Sequence, residues 1–423
     1  MSFELPFKLP TGWQVATVDE LVKQKIIAKP LDGNHGGIHP KASDYIESGV
    51  PFVMASDLAG GRVDLIDCKF ISEEQASGLR KGIAKAGDVL LSHKATIGRT
   101  AIVQDSKHDF IMLTPQVTYY RVINSSALSN IYLKAYFDSR FFQSILGLWA
   151  GAGSTRAYLG ITGQLKLPII LPPIEIQNEI SGQVHALNKK VNLNNEINQT
   201  LEEMAQAIFK SWFVDFDPVK AKMNGKQPEG MDAATASLFP EKLVESELGL
   251  IPEGWEPKQL KDILELAYGK ALKKTDRVEG DVPVYGSGGL TGYHNQSLVE
   301  GPGIIVGRKG TVGSVYWEPK AFYPIDTVFY VKPKAGYSLN YCYLTLKNLG
   351  LKNMNTDAAV PGLNRNNAYR LEVVTPSHNV LNKFESIMHS FQSKIDGNNA
   401  ESSSLETLRD TLLPKLLSGE VEL

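Results

Sequence analysis

Cysteine is nearly missing from this chain. Cys68 and Cys342 are the only two in 423 residues. They lie far apart in sequence, which excludes a disulfide framework and any cysteine-based zinc spacing. Long apolar runs are also absent: no stretch approaches the ~20 residues that a membrane helix requires. The opening Met1–Trp13 has neither a basic nor an apolar signal region, so a soluble cytoplasmic protein without membrane association is expected. Net charge is close to nil, formally −2, whereas a solitary DNA-binding module is often basic. Any nucleic-acid role therefore calls for a local basic patch or for partners that share the phosphate contacts.

Signs of catalysis are equally sparse. No phosphate-cradling G-x-x-x-x-G-K-[ST] loop occurs, and no dinucleotide fingerprint opens a strand–helix–strand unit. Pro172-Pro173 lacks the acidic or amide residue before it and the aromatic after it that adenine methyltransferases use on the target amine. Glu256-Pro257-Lys258 and Glu318-Pro319-Lys320 resemble halves of a nuclease carboxylate–lysine set, without a carboxylate partner. The eight histidines show no metal-ligand spacing. A binding role without catalytic, cofactor or metal residues in this chain is the expectation.

What the sequence does contain is a repeat. Leu9-Pro10-Thr11-Gly12-Trp13 recurs as Ile251-Pro252-Glu253-Gly254-Trp255, a tight turn that delivers a large aromatic into a core. The stretch from Leu90 to Gly98 resembles that from Ile304 to Gly313. The segment Thr155–Leu159 matches Ala359–Leu363, and Leu167–Pro172 matches Leu371–Pro376. The order is kept while the offset shrinks, so the second globular domain is the shorter.

Each copy then passes into a heptad pattern. Ile180, Val184, Leu187, Val191, Asn194, Asn198, Leu201, Ala205, Ile208 and Trp212 alternate by four and three. Phe384, Met388, Phe391, Ile395, Asn398, Ser402, Leu405, Arg409, Leu412 and Leu416 do the same. This is the seam of a coiled coil, in helices of about 40 residues and roughly 60 Å. Both seams turn polar midway, where buried Asn fixes register; the alternative is a loosely packed middle or a break near Gly397. The expected architecture is α+β: two globular α/β domains separated by two long antiparallel coiled-coil helices in a pseudo-two-fold repeat. The boundaries are 1–173 for the first domain, 174–216 for the central helix, 217–250 for a turn-rich linker, 251–376 for the second domain and 377–423 for the C-terminal helix.

Certain segments carry a family resemblance. Ala207-Ile208-Phe209-Lys210-Ser211-Trp212-Phe213-Val214-Asp215-Phe216-Asp217-Pro218, followed by Leu248–Trp255, resembles the central region of type I restriction-modification specificity subunits. The run from Leu405 to Glu420 is similar to that family's ending. The resemblance implies a non-catalytic subunit whose two target-recognition domains each read half of an interrupted double-stranded DNA site. The helices would act as a ruler for the spacer, and half-sites one turn apart stand about 34–36 Å from each other. It also implies two docked adenine-N6 methyltransferase subunits that use S-adenosylmethionine, and restriction subunits that use ATP and Mg. A coiled-coil adaptor that reads no DNA sequence is the other reading of the same architecture.

Base edges are read by Arg, Lys, Asn, Gln, Ser and Thr, and phosphates by Lys, Arg and backbone amides. In the second domain Arg308, Lys309 and Thr311 lie in a loop whose glycines would let backbone approach DNA closely. Their first-domain counterparts are His93, Lys94, Thr96 and Arg99. A second group precedes each helix: Ser154, Thr155, Arg156 and Tyr158, then Asn364, Arg365 and Asn366. Ser287, in a glycine-rich turn after Tyr285, completes the DNA-binding candidates. The plainer reading of each group is an exposed turn or solvated loop, and Trp13 and Trp255 are read as core.

Overall fold

The computed structural model describes residues 8–151, 157–354 and 362–418. The chain divides into two compact units. One comprises residues 1–194 with 401–423, the other residues 195–400.

The first unit begins with the repeated turn. Gly12 has φ +86°, the left-handed region open to glycine, and the Trp13 amide closes onto the Pro10 carbonyl at 3.2 Å. Strand Gln14–Thr17 then pairs antiparallel with Pro168–Leu171, so the two ends of the globular part are tied together. Between them lies a six-stranded sheet in the order Leu31–Asp32, Val117–Tyr120, Val89–Ser92, Thr100–Ile102, Arg62–Val63, Leu58–Ala59. A four-stranded sheet carries Val50–Val53 and Ile111–Leu113 as its parallel centre. Helices Asn130–Asp138 and Arg140–Trp149 cover the larger sheet with Tyr132, Tyr136, Phe137 and Phe142, all fully buried. The phenolic hydroxyls do not go unsatisfied: Tyr132 donates to the Ile170 carbonyl and Tyr136 to the Pro168 carbonyl. Both bonds lock helix Asn130–Asp138 to the closing strand.

The second unit repeats this plan with fewer strands. The Trp255 amide bonds to the Pro252 carbonyl at 3.0 Å beside Gly254 at φ +77°. Glu256–Gln259 pairs antiparallel with Glu372–Thr375. A four-stranded sheet has the order Leu264–Tyr268, Val328–Pro333, Gly303–Gly307, Val315–Glu318. A three-stranded sheet centres on Val282–Gly286, parallel to Tyr323–Pro324. Helix Leu339–Asn348 covers the larger sheet, as Asn130–Asp138 does in the first unit. The smaller size follows from both sheets, four strands against six and three against four, which agrees with the shrinking offset of the repeat.

The long helices run Ile174–Phe213 and His378–Ser418. Within the first unit the pairing is antiparallel: Asn188 meets Arg409 and Asn194 meets Ser402. Within the second it is antiparallel as well, with Asn198 against Asn398 and Trp212 against Phe384. The polar centres are packed and not wet. Asn194, Asn198, Asn398 and Ser402 are all buried. Asn194 Nδ2 donates to Glu401 Oε2 at 2.9 Å, and Asn398 Nδ2 donates to Asn198 Oδ1 at 2.8 Å. The helix runs unbroken through Gly397. Each unit therefore joins mixed sheets to half of a helix pair, the α+β arrangement read from the sequence.

The aromatic stretch at the end of the central helix has a packing reason. Phe209, Trp212, Phe213 and Phe216 enter the second unit's core with Trp255, Tyr341 and Phe384. The 217–250 segment is more than a return path. It carries helix Asp217–Met223 and the hairpin Leu243–Ser246 with Gly249–Pro252, and buries Val219 and Phe239 in the same core. Its Pro and Gly residues mark turns between packed pieces. Both cysteines are buried and free. Among the described residues no helix is long and apolar enough to cross a membrane, and no cluster of metal-ligand side chains occurs.

Candidate nucleic-acid interface

In each unit, two loops that are distant in sequence are brought together by the same backbone bonds. In the first, the loop after Val89–Ser92 meets the segment before Pro168–Leu171. The Leu159 amide donates to the His93 carbonyl at 3.0 Å, and Lys94 pairs with Tyr158 as an isolated bridge. In the second, the Leu363 amide donates to the Arg308 carbonyl at 2.8 Å, and Lys309 pairs with Gly362. The loops themselves match bond for bond. The Gly98 amide reaches the Ser92 carbonyl and the Gly313 amide reaches the Gly307 carbonyl, each at 2.9 Å. Ala95 and Gly310 both take positive φ, +65° and +85°. The loop that carries the first candidate group is thus joined, in each unit, to the segment that carries described members of the second: Tyr158 in one and Asn364, Arg365 and Asn366 in the other.

The side chains on this shared frame differ. In the second unit Arg308 donates from Nη1 to the Asp326 carbonyl at 3.2 Å, and its guanidinium lies 4.9 Å from the centre of the Tyr268 ring. Arg365 lies 4.7 Å from the same ring centre and 5.7 Å from that of Tyr369. Lys309 and Thr311 are exposed beside them. Ser287 is tied into the frame: its carbonyl accepts from the Ser314 hydroxyl at 2.7 Å and its Oγ from the Thr311 amide at 3.4 Å. Asn364 caps helix Arg365–Tyr369 through Oδ1, accepting from the amides of Asn366 and Asn367 at 2.9 and 3.3 Å. That role occupies its acceptor and fixes Arg365, while Asn366 stays exposed.

The glycines of this loop serve the chain itself. A Cβ at Gly307 would lie 2.1 Å from the Thr311 carbonyl oxygen, and one at Gly313 would lie 2.3 Å from the Leu351 carbonyl carbon. Gly307 is thus crowded by the loop's own backbone and Gly313 by the Leu351 segment, whereas a Cβ at Gly310 would meet only the Ser287 hydroxyl, at 3.2 Å.

In the first unit His93 lies in the core. It is fully buried, and Nδ1 meets the Leu159 carbonyl at 3.0 Å. Burial pulls its pKa down to about 4 against the opposing pull of Asp32 and of that carbonyl, so the ring is neutral at pH 7. It braces the two loops. Arg99 stays exposed while donating from Nη1 to the carbonyls of Ala55 and Ser56 at 3.2 and 3.1 Å. Lys94, Thr96 and Tyr158 remain exposed. Ser154, Thr155 and Arg156 lie outside the described residues.

Sequence reading missed several neighbours. Lys94 borders a cleft of about 440 Å³ with His35, His39, Tyr45, Thr114 and Gln116. Behind it Asp32, 2% exposed, is bonded by Lys81 and by His35 at 2.7 Å. Burial alone would raise the Asp32 pKa, but the bonds from Lys81 and His35 hold it below the ordinary value. Tyr268 was missed as the platform for Arg308 and Arg365. Its one sequence signal is its place just before the basic run Lys270–Arg277.

Known proteins carry the same organisation. A family model for the type I restriction modification DNA specificity domain matches residues 10–203 and 252–407, one match per repeat. The HindI specificity subunit of Haemophilus influenzae is 27% identical, covering 88% of this chain and 94% of that protein. The MjaIX specificity subunit of Methanocaldococcus jannaschii is 24% identical, covering 100% and 99%. In fold, the chain resembles the crystal structure of a type I restriction-modification S subunit from M. genitalium, with a TM-score of 0.53 at 17% identity over 98% of each chain. With two-fold coverage by the family model and near full-length relatives, the chain belongs to the type I restriction-modification specificity subunits.

Proposed function

We propose that this subunit reads a bipartite DNA site for partner enzymes. Each recognition domain takes one half-site, and the helix pair sets the spacer. The observation that carries this reading is the repeated loop frame. Identical backbone bonds hold His93 and Lys94 against Tyr158 and Leu159 in one unit, and Arg308 and Lys309 against Gly362 and Leu363 in the other. A shared frame with different side chains suits two readers of different sequences. The matched helical seams suit two copies of one partner, and adenine-N6 methyltransferase subunits are that partner in this reading.

The chain contributes no chemistry of its own in this assignment. S-adenosylmethionine would bind the methyltransferase subunits, and ATP with Mg the restriction subunits. The complex would act on chromosomal DNA in the cytoplasm. The formal charge of −2 fits a subunit whose partners share the phosphate contacts. Exposed Lys94 and Lys309 supply local positive charge where the loops meet.

The test is to co-express the chain with its modification subunits and map N6-methyladenine across a genome. Two short specified blocks separated by a fixed unspecified spacer are expected. Methylation without a two-part motif, or a motif unchanged when the chain is left out, would refute the assignment and favour an adaptor that reads no sequence.

A further inference from the structure

The structure assigns a guanine-reading site to the second recognition domain: we propose that Arg308 and Arg365 together take the O6/N7 edge of one guanine. The inference rests on the DNA-reading role above and makes it specific to a base.

Two guanidinium groups share one aromatic platform, at 4.9 and 4.7 Å from the Tyr268 ring centre. They come from loops more than 50 residues apart and are brought together by the bond from the Leu363 amide to the Arg308 carbonyl. Two cations held at one ring repel each other, and among the described residues neither forms an ion pair with a carboxylate. Arg308 uses a single bond, to the Asp326 carbonyl, and the buried Nε of Arg365 has no hydrogen-bond partner. The donors outnumber the acceptors that the domain supplies, so the pair is built for an acceptor-rich ligand.

The choice of guanine over phosphate comes from geometry. Stacking on a ring fixes the plane of a guanidinium, and a fixed planar fork matches two adjacent acceptors. Guanine alone among the bases shows two acceptors, N7 and O6, in the major groove. A phosphate can also accept a fork, but a point charge suffices for it, and exposed Lys309 supplies one next door. Tyr268 is the positioning residue.

The first unit departs from this at the equivalent place. Asp32 pairs with Thr118 as Tyr268 pairs with Phe329, each partner being the second residue of its strand. There the platform is a buried carboxylate, Arg308 is replaced by buried His93, and Arg365 by Ile161, two residues past the paired leucine. The guanine contact is therefore confined to one half-site.

The experiment uses the full chain assembled with its modification subunits. The unaltered complex should methylate a bipartite motif with a guanine in one half-site. Arg308→Ala and Arg365→Ala should each relax that guanine and weaken binding of the cognate duplex by about 10- to 100-fold, with every other specified position kept. In parallel, 7-deazaguanine at that position removes N7 and should weaken binding of the unaltered complex by about 3- to 10-fold. This second arm needs no variant to fold. A bipartite motif without guanine in either half, an unchanged affinity for the 7-deaza duplex, or a uniform loss across all positions in both variants would overturn the inference and leave the broader reading standing. The absence of any bipartite motif would overturn both.

Discussion

Removing Lys81 should expose how the first unit tolerates a buried carboxylate. Asp32 is 2% exposed and its two side-chain partners are Lys81 and His35. Breaking a buried pair by deleting one partner costs about 3–5 kcal/mol because the remaining charge is left uncompensated. The Lys81 side chain is a third exposed and His35 nearly half exposed, so solvent screens part of that cost. Lys81→Met should therefore destabilise the unit by about 1–3 kcal/mol. Asp32→Asn with Lys81→Met should cost less than the two single changes added together, since the amide no longer demands a cation. Hydrogen exchange at the Thr118 amide neighbourhood, opposite Asp32 in the sheet, reads the stability of this unit without interference from the other. The folded pKa of Asp32 is lowered, so its contribution is present above the unfolded value near 3.9 and is lost as pH falls through the folded one. Asp32→Asn should flatten that acid limb. Additivity of the two changes within about 0.5 kcal/mol would refute the coupling.

Other expectations follow from the same coordinates. Trp255→Ala empties a site packed by Phe213, Phe216 and Phe239 and should destabilise the second unit by about 3–5 kcal/mol in denaturant unfolding; Trp13→Ala, at a half-buried position, should cost less. His93 is depressed to about 4 by burial, so stability should fall by roughly 3 kcal/mol as pH drops from about 6.5 to 4. An imidazole NMR titration with a midpoint near 6.5 would contradict this. Lys309→Ala should weaken DNA binding evenly across sequences and reduce the salt slope by about 1, read by binding titrations at several salt concentrations. Inserting four residues near Asn195, about 6 Å of added helix, should change the methylated spacer length or abolish assembly; an intact complex with an unchanged motif would contradict the ruler.

The helices were legible because their signal is local. A four-three alternation needs only neighbouring residues, and Asn194, Asn198, Asn398 and Ser402 are found packed on the seam where the alternation places them. The repeat was legible for the same reason: Gly12 and Gly254 sit in equal turns before equal strands. The candidate surface was legible only in outline. The Arg308 loop and Arg365 were each noticed, but nothing local says that they share Tyr268, because the contacts join residues 40 and 97 positions from it. Flanking glycines suggested room for DNA, yet a missing Cβ does not say which side is crowded, and at Gly307 it is the loop's own backbone while Gly310 meets only a hydroxyl. His93 looked like an available polar side chain because its burial comes from Tyr158 and Leu159, more than 60 residues on. Asn364 carried a readable signal, a capping residue ahead of a short helix.

The shared frame also bears on how such a protein changes over time. Its bonds run from carbonyl to amide, His93 to Leu159 and Arg308 to Leu363, and so do not depend on which side chains the loop displays. A substitution at the display positions leaves the scaffold's hydrogen bonding whole. On the proposed reading, new recognition would then arise through single replacements at little folding cost, and the two halves would drift apart in what they read while keeping one inheritance of shape.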